Sequence, residues 1–376
     1  MKKILVLHNI ITPYRVHLFN EMANFYADNY VDFKVIFLSE SDKNRHWNNF
    51  DTQFSFDVLE NIAIRFGKKD LYTFFINKNI FGLLEKEDPD KIICFGWDHL
   101  AAYSSFYWSR KHVKEFIIWS GSTIYEKSWR RNLFNPLVKY LVRHSDKCIA
   151  DGTRHRDYLV HLGAEPRNVE IFYFQVDVDY FINKSDNFSN DDKTQFKKML
   201  GITTQKVIFF NGQLIERKGI FELLQGFRMY QEKHNDITLL ILGRGMEKEK
   251  MQAIVTSQNI QNIVFADFVP YEDVYKFYSI SDMLILPSRE EAWGLVLNEA
   301  MACGLPIIST YETGAVDDLI EEGKNGYVIK SNCPECIEAS INKLYENKLD
   351  KINNSRDKIK SMMVVQMIKE SLFLRL

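Results

Sequence analysis

The stretch from Asp282 to Ser309, DMLILPSREEAWGLVLNEAMACGLPIIS, limits what this chain can fold into more than any other. Met283 to Leu286 is an apolar run closed by Pro287, the mark of a buried strand. Gly294 to Cys303 carries good helix formers, Gly304 stands where a helix stops in left-handed backbone, and Pro306 follows it. Ile307 and Ile308 open another buried strand. Strand, helix and strand at this spacing predict a parallel βαβ unit with a right-handed crossover.

The same alternation runs along the whole chain. Strands are expected at 3–7, 32–38, 90–95, 115–119, 147–150 and 169–174, with helices at 14–25 and from the loop Gly96-Trp97-Asp98-His99 to about Lys111. A polar run from Asp177 to about Thr204, with NKSDNFSNDDK in its middle, reads as a linker holding a short helix. A second set of strands follows at 206–210, 238–242, 263–265, 283–286, 307–308 and 327–329. The expected division is a first domain over 1–180 and a second over 200–350. The 376 residues suffice for two domains, and 46% hydrophobic with 26% charged residues suits full cores.

Charge and composition exclude other classes. A net charge of −2 gives no footing for nucleic acid. No apolar run reaches the roughly 20 residues of a membrane span. The start MKKILVLHNII is interrupted by His8 and Asn9 and lacks a small-residue cleavage site, so it reads as a first buried strand. Five scattered cysteines point to a reducing cytoplasm and away from a disulfide framework. A redox or metal role for Cys333-Pro-Glu-Cys336 is disfavoured, because it stands late in the chain with no second cysteine pair.

Chemistry is expected at the first turn of the 282–309 unit. Glu291 belongs to the loop at the carboxyl end of a strand, where ligands bind in open parallel sheets. Glu299, eight positions on, lies two turns into the helix. Free backbone N–H groups near Gly294, Leu295 and Val296 form a positive helix end suited to a diphosphate. From spacing alone, a solvated acidic loop and an ordinary helix carboxylate stay open as the alternative.

The wording EAWGLVLNEAMACGLPII resembles the E-x7-E signature of the group-one retaining glycosyltransferases with the GT-B fold. The resemblance is strong over 207–328 and weak in the first domain. It implies an α/β protein of two Rossmann-like, doubly wound domains facing a central cleft, with a final helix, about 355–376, crossing back to the first. It implies retaining transfer of a sugar from a UDP- or GDP-sugar to a glycan or polyprenyl-diphosphate-linked acceptor, in cell-surface polysaccharide biosynthesis. No further cofactor and no metal are implied. Glu291 would orient the sugar and Glu299 the ribose.

Gly212-Gln213-Leu214-Ile215-Glu216-Arg217-Lys218-Gly219 resembles the family's G-R-L-x-x-x-K-G segment, whose basic residues hold the diphosphate. Lys218 matches; Gln213 replaces the usual arginine, and Arg217 is placed to compensate. Gly243 lies in a turn like the family's second glycine turn, and Phe268 and Val269 stand where it reads the base, with Asp267 in place of a glycine. Asp177-Val178-Asp179, with Phe181, resembles the family's interdomain segment and reads as structural. The catalytic candidates are therefore Glu291, Lys218 and Arg217. The acceptor candidates in the first domain are Thr12, Arg15, His99 and Ser122. For His99 the alternative is a satisfied structural histidine, and for Arg15 a helix-surface arginine. The family's histidine in the later loop is missing from Trp119-Ser120-Gly121-Ser122.

The run 126–156 is basic and aromatic, with Lys127, Arg130 and Arg131 at its start. Peripheral contact with the inner membrane face and an ordinary solvated helix are equal readings of it. Two rival functions remain: a GT-B nucleotide-sugar epimerase, and a non-catalytic nucleotide-sugar-binding subunit of a polysaccharide assembly complex. An NAD dehydrogenase is disfavoured, since no G-x-G-x-x-G follows the first strand.

Overall fold

The computed structural model describes residues 1–39, 51–66, 72–77, 79–126, 129–346, 351–371 and 374. The chain divides into two compact units, Met1–Gln175 with Val364–Leu376, and Val176–Met363.

The first unit contains β1 (Lys3–His8), β2 (Asp32–Phe37), β3 (Ser55–Val58), an antiparallel hairpin of β4 (Asn61–Phe66) and β5 (Tyr72–Asn77), then β6 (Lys91–Phe95), β7 (Glu115–Ser120), β8 (Lys147–Ala150) and β9 (Val169–Ile171). Without the hairpin these form one sheet in the order β3-β2-β1-β6-β7-β8-β9, parallel throughout. Strands such as KILVLH and KIICF are apolar along almost their whole length because helices cover both faces. Leu5 and Leu7 face one core, with the helices Ile80–Glu87, Leu100–His112, Trp129–His144 and Thr153–Leu162. Ile4 and Val6 face the other, with Pro13–Asp28 and Val364–Glu370.

The second unit repeats the plan with β10 (Lys206–Asn211), β11 (Ile237–Leu242), β12 (Ile263–Ala266), β13 (Met283–Leu286), β14 (Ile307–Thr310) and β15 (Gly326–Ile329). Their order is β12-β11-β10-β13-β14-β15, again parallel. Counted within each unit and leaving out the hairpin, the second sheet runs 3-2-1-4-5-6 and the first runs the same with a seventh strand at its end, the doubly wound order in which the direction of winding reverses beside the first strand. That reversal lies between β1 and β6 in one unit and between β10 and β13 in the other.

Three expectations change. The expected linker is two helices of the second unit, Val178–Asp186 and Asn190–Met199. Its polar residues serve as caps: Asp177 accepts from the Tyr180 N–H, and Ser189 and Asp192 form a reciprocal capping box. Phe188 and Phe196 pack against Tyr275 and Phe277. The expected final helix is two helices. Lys351–Lys360 stays with the second unit, where Ser355 donates to the Leu305 carbonyl and Arg356 to that of Ala302. Residues Val364–Leu376 belong to the first unit. Finally, β3, β4 and β5 were not expected. Among the described residues no helix is long and apolar enough to cross a membrane.

Candidate active site

Two loops meet at the reversal point of the second sheet. One follows β10 and carries residues 212–219; the other follows β13 and carries 287–294. The φ of Gly219 is +67°, and a Cβ there would fall 1.9 Å from the Pro287 carbonyl oxygen, so only glycine lets the loops approach. The Arg289 N–H donates to the Arg217 carbonyl at 2.7 Å, and Arg217 Nη1 returns a bond to the Glu290 carbonyl at 3.1 Å. Arg289 also reaches Glu216 at 2.9 Å and pairs with Glu222. Lys218 Nζ is ion-paired with Glu291, both side chains largely buried.

Glu291 is fixed by its backbone as well. Its N–H donates to the Glu312 carbonyl and its carbonyl accepts from Gly314 at 2.9 Å. Gly294, at φ +96°, turns the chain into the helix Leu295–Ala302. Trp293 Nε1 donates to the buried Asn298 side chain at 2.9 Å, locking loop to helix. An ammonium group and the N-terminus of a helix thus share one end of the sheet, a combination suited to phosphate oxygens.

Glu299 is buried under this surface. Tyr278 Oη donates to its Oε2 at 2.6 Å and accepts from Asn211 Nδ2 at 3.1 Å, linking the end of β10 to the helix. Burial pushes the Glu299 carboxyl up to about 7, against the opposing effect of the tyrosine hydrogen bond. Asn211 and Tyr278 were not found from sequence: an asparagine ending a strand and a tyrosine in an apolar helix carry no motif. The position of Asn211, directly before Gly212, was the available signal.

The glycine turns brace one another. A Cβ on Gly243 would lie 1.9 Å from the Gly212 carbonyl oxygen, and Leu214 N–H donates to the Arg244 carbonyl at 2.8 Å. Gln213 is exposed at this edge. Phe268 is 54% exposed, with the Arg244 guanidinium 5.4 Å from its ring centre, and Val269 follows it. Asp267 is ion-paired with Lys248 at 2.7 Å, which holds its carboxyl below the ordinary value.

The sequence model of the family described as "Glycosyl transferases group 1" matches residues 191–362. This stretch belongs to the group 1 glycosyl transferases. An uncharacterized glycosyltransferase of Haemophilus influenzae is 31% identical over 58% of this chain and 60% of its own length. The capsular polysaccharide biosynthesis glycosyltransferase CapM of Staphylococcus aureus is 30% identical over 44% of each. The chain therefore spans about half the length of such curated relatives. Among solved structures, that of Anabaena HepE in complex with UDP superposes with a TM-score of 0.78 at 16% identity, covering 99% of this chain and 100% of HepE. The fold is GT-B, two Rossmann-like units.

Outside the glycosyl transferase stretch, Asp151 joins Arg15, one turn from Thr12, to the 120–122 loop, and His99 lies near the same cluster with its ring already engaged. The His99 ring accepts from Ala102 N–H at 3.1 Å through Nδ1, capping the helix Leu100–His112, and its Nε2 pairs with the Phe95 carbonyl at the end of β6 at 3.1 Å, so both nitrogens are engaged. Burial lowers its pKa to about 4, leaving it neutral. The expectation of an acceptor contact at His99 is corrected accordingly. Arg15 is no helix-surface arginine: it is 7% exposed, ion-paired with Asp151 at 3.4 Å and set among Phe95, Trp119 and Phe174. Ser122 N–H donates to Ser120 Oγ at 3.2 Å.

Lys127 and the side chains of Arg130 and Arg131 lie outside the described residues. Farther along the same helix, Phe134, Leu137 and Tyr140 are exposed. Asn135, Pro136, Lys139, Tyr140, Arg143 and His144 line a groove of about 430 Å³. Cys333 and Cys336 form a disulfide, where no disulfide framework was expected; their spacing at a helix start puts the Cα atoms 5.2 Å apart, within bridging reach.

Proposed function

We propose that this protein is a retaining glycosyltransferase that moves a hexosyl group from a UDP- or GDP-sugar to a glycan or lipid-linked acceptor in cell-surface polysaccharide biosynthesis. The observation that carries this reading is the meeting of Lys218, Glu291 and the N-terminus of Leu295–Ala302 at the reversal point between β10 and β13. The UDP bound in the HepE structure supports a nucleotide donor, and the likeness to CapM supports a capsule-like product.

In this reading the donor diphosphate lies across the Gly212–Gly219 loop and the helix end. Lys218, with Arg217 beside it, stabilises the charge that builds on the leaving diphosphate. Glu291, which is paired with the Lys218 ammonium, turns to the hydroxyls of the sugar. Glu299 accepts from the ribose, and the base stacks at Phe268 and Val269. Departure and attack occur on one face of the sugar, and the leaving phosphate takes the acceptor's proton. The protein works at the cytoplasmic face of the inner membrane, touching it with the basic aromatic helix Trp129–His144.

The deciding experiment is turnover of UDP- and GDP-sugars by the purified protein, after a thermal-shift screen that finds the donor it binds. Slow hydrolysis without an acceptor, with the anomeric configuration of the product retained, is expected. Epimerised nucleotide sugar would make it an epimerase. Tight donor binding with no turnover in the presence of acceptor extracts would make it a binding subunit.

A further inference from the structure

The reversal point of the second sheet holds the candidate donor residues; the corresponding point of the first sheet, between β1 and β6, also carries a charged group. Thr12 and Arg15 follow β1, and Phe95 ends β6. Arg15 stands in the first turn of Pro13–Asp28, a helix of 16 residues with no acid in that turn. Its guanidinium carbon lies 4.0 Å from the Phe174 ring centre and 4.6 Å from that of Phe95. Among the described residues its acid partner is Asp151, at 3.4 Å through one nitrogen, longer than the roughly 2.7–2.9 Å of a good charge-assisted bond. The other Asp151 oxygen is taken by Trp119 Nε1 at 2.7 Å.

The guanidinium is thus under-matched. Burial draws the pKa of Arg15 down, and Asp151 offsets this only in part. A second group is unmatched beside it. Thr12 is the N-cap of the helix, yet its side chain caps nothing. It is 2% exposed, and Oγ1 is buried without a hydrogen-bond partner among the described residues. A desolvated hydroxyl in that state is a standing cost to the fold that a hydrogen-bonding ligand would relieve. The nearby imidazoles add no charge: burial lowers the pKa of both His8 and His99, with Arg15 itself repelling a proton from His8. One ion pair leaves the cluster neutral, and the helix end adds positive potential. Arg15 and Thr12 lie one turn apart at the place where open parallel sheets bind ligands.

We propose that Arg15 and Thr12 form an oxyanion site that receives a phosphate or carboxylate group of the acceptor. The word acceptor rests on the glycosyltransferase reading; the anion site does not. The guanidinium presents a pair of N–H donors, Thr12 turns its hydroxyl to a third oxygen, and Asp151 sets the plane of the guanidinium while competing with the ligand for it. Two acceptor chemistries satisfy this: an acidic sugar, or a diphosphate on a lipid carrier.

The test is calorimetry on the full chain, saturated with UDP so that the nucleotide site is filled, with inorganic phosphate as titrant. Wild type takes up phosphate. Arg15→Gln and Thr12→Val each weaken that uptake by about tenfold or more and leave UDP affinity unchanged. Asp151→Asn strengthens it, whereas a purely structural ion pair would make this variant no better than wild type. If Arg15→Gln fails to fold, the nearly isosteric Thr12→Val decides. No phosphate uptake by UDP-saturated wild type, or equal uptake by wild type and Thr12→Val, overturns the site. Failure to bind either UDP or GDP overturns the donor reading and leaves the phosphate titration standing; where GDP is the nucleotide that binds, it replaces UDP in the titration. Glucuronate and farnesyl diphosphate as further titrants separate the sources: whichever binds more tightly than inorganic phosphate identifies the acceptor's anionic group, and neither doing so overturns the acceptor assignment.

Discussion

Lys218 and Glu291 form an ion pair that joins the loop after β10 to the loop after β13. Either residue alone would be a partly buried charge. Together they hold one ammonium and one carboxylate at the mouth of the β10/β13 reversal, where a diphosphate and a polyol would each claim one of them. Lys218→Ala should leave the fold intact and lower donor turnover by about a hundredfold or more, as loss of a charge-stabilising donor does. Turnover close to wild type, with circular dichroism unchanged, would remove Lys218 from the chemistry.

Glu291 and Glu299 should separate by ligand. Glu299→Gln is expected to weaken UDP and the complete donor alike. Glu291→Gln should bind UDP nearly as wild type does and lose turnover, because a contact that strengthens in the transition state appears in the rate. Calorimetry with UDP, then kinetics with the donor, tests the division. Comparable loss of UDP affinity in both variants would assign both carboxylates to one nucleotide subsite.

The raised pKa of Glu299, about 7, gives a second signature. A ribose hydroxyl that donates to the carboxylate favours its charged form, so UDP binding should release protons from this group near about pH 6.5. Calorimetry in buffers of different ionisation enthalpy measures the release. Glu299→Gln should release fewer protons than wild type, which also controls for titration of UDP itself. For stability the sign is set by the same shift. The protonated, buried carboxyl contributes fully below the ordinary carboxylate range and is lost as pH rises through about 7. Wild type should therefore lose stability relative to Glu299→Gln over that window, and parallel melting curves would contradict it.

Gly219→Ala should destabilise the second unit by about 2–3 kcal/mol, combining positive-φ strain with the clash on Pro287, and should weaken UDP binding as the two loops part. Gly323→Ala is the control: φ there is +75°, but nothing lies within 4 Å of its Cβ position. Its cost should be the backbone strain alone, about 1 kcal/mol. Equal urea-unfolding free energies for the two variants would show that the close approach to Pro287 contributes nothing.

The helix Trp129–His144 should bind anionic phospholipid vesicles. Charge reversal at Lys139 and Arg143 should cut binding more than about tenfold, each basic group contributing about 1 kcal/mol near such a surface. Sedimentation with vesicles checks this. Equal binding by wild type and variant, or none by either, would return the helix to an ordinary solvated face.

The strands legible in the sequence are those that parallel packing buries on both faces, such as ITLLIL in β11 and MLIL in β13. β3 was not legible because all four residues of SFDV are exposed at the sheet edge, so no burial pattern marks it. The 177–204 run misled because its Ser, Asn and Asp residues, typical of loops, are spent here on helix caps. In the candidate site, Lys218, Glu291 and Gly294 were readable from loop position and motif. Asn211, Tyr278 and the Arg289 bridge were not: each acts through a side chain that meets a partner distant in sequence, and no local pattern records such a meeting.

The first unit is assembled from both ends of the described chain. Tyr26 Oη donates to the Leu374 carbonyl at 2.9 Å, Ser371 to Glu170, and Val364, Ile368 and Leu374 enter the core with Ile4 and Val6. On the ribosome this reverses the usual sequence of events, in which the part made first is finished first. The second unit, Val176–Met363, is continuous and can close as it emerges. The first must wait with one core unsealed for the whole of that interval, about 10–40 s at ordinary elongation rates of roughly 5–20 residues per second. During that wait its exposed apolar face is what a chaperone would meet.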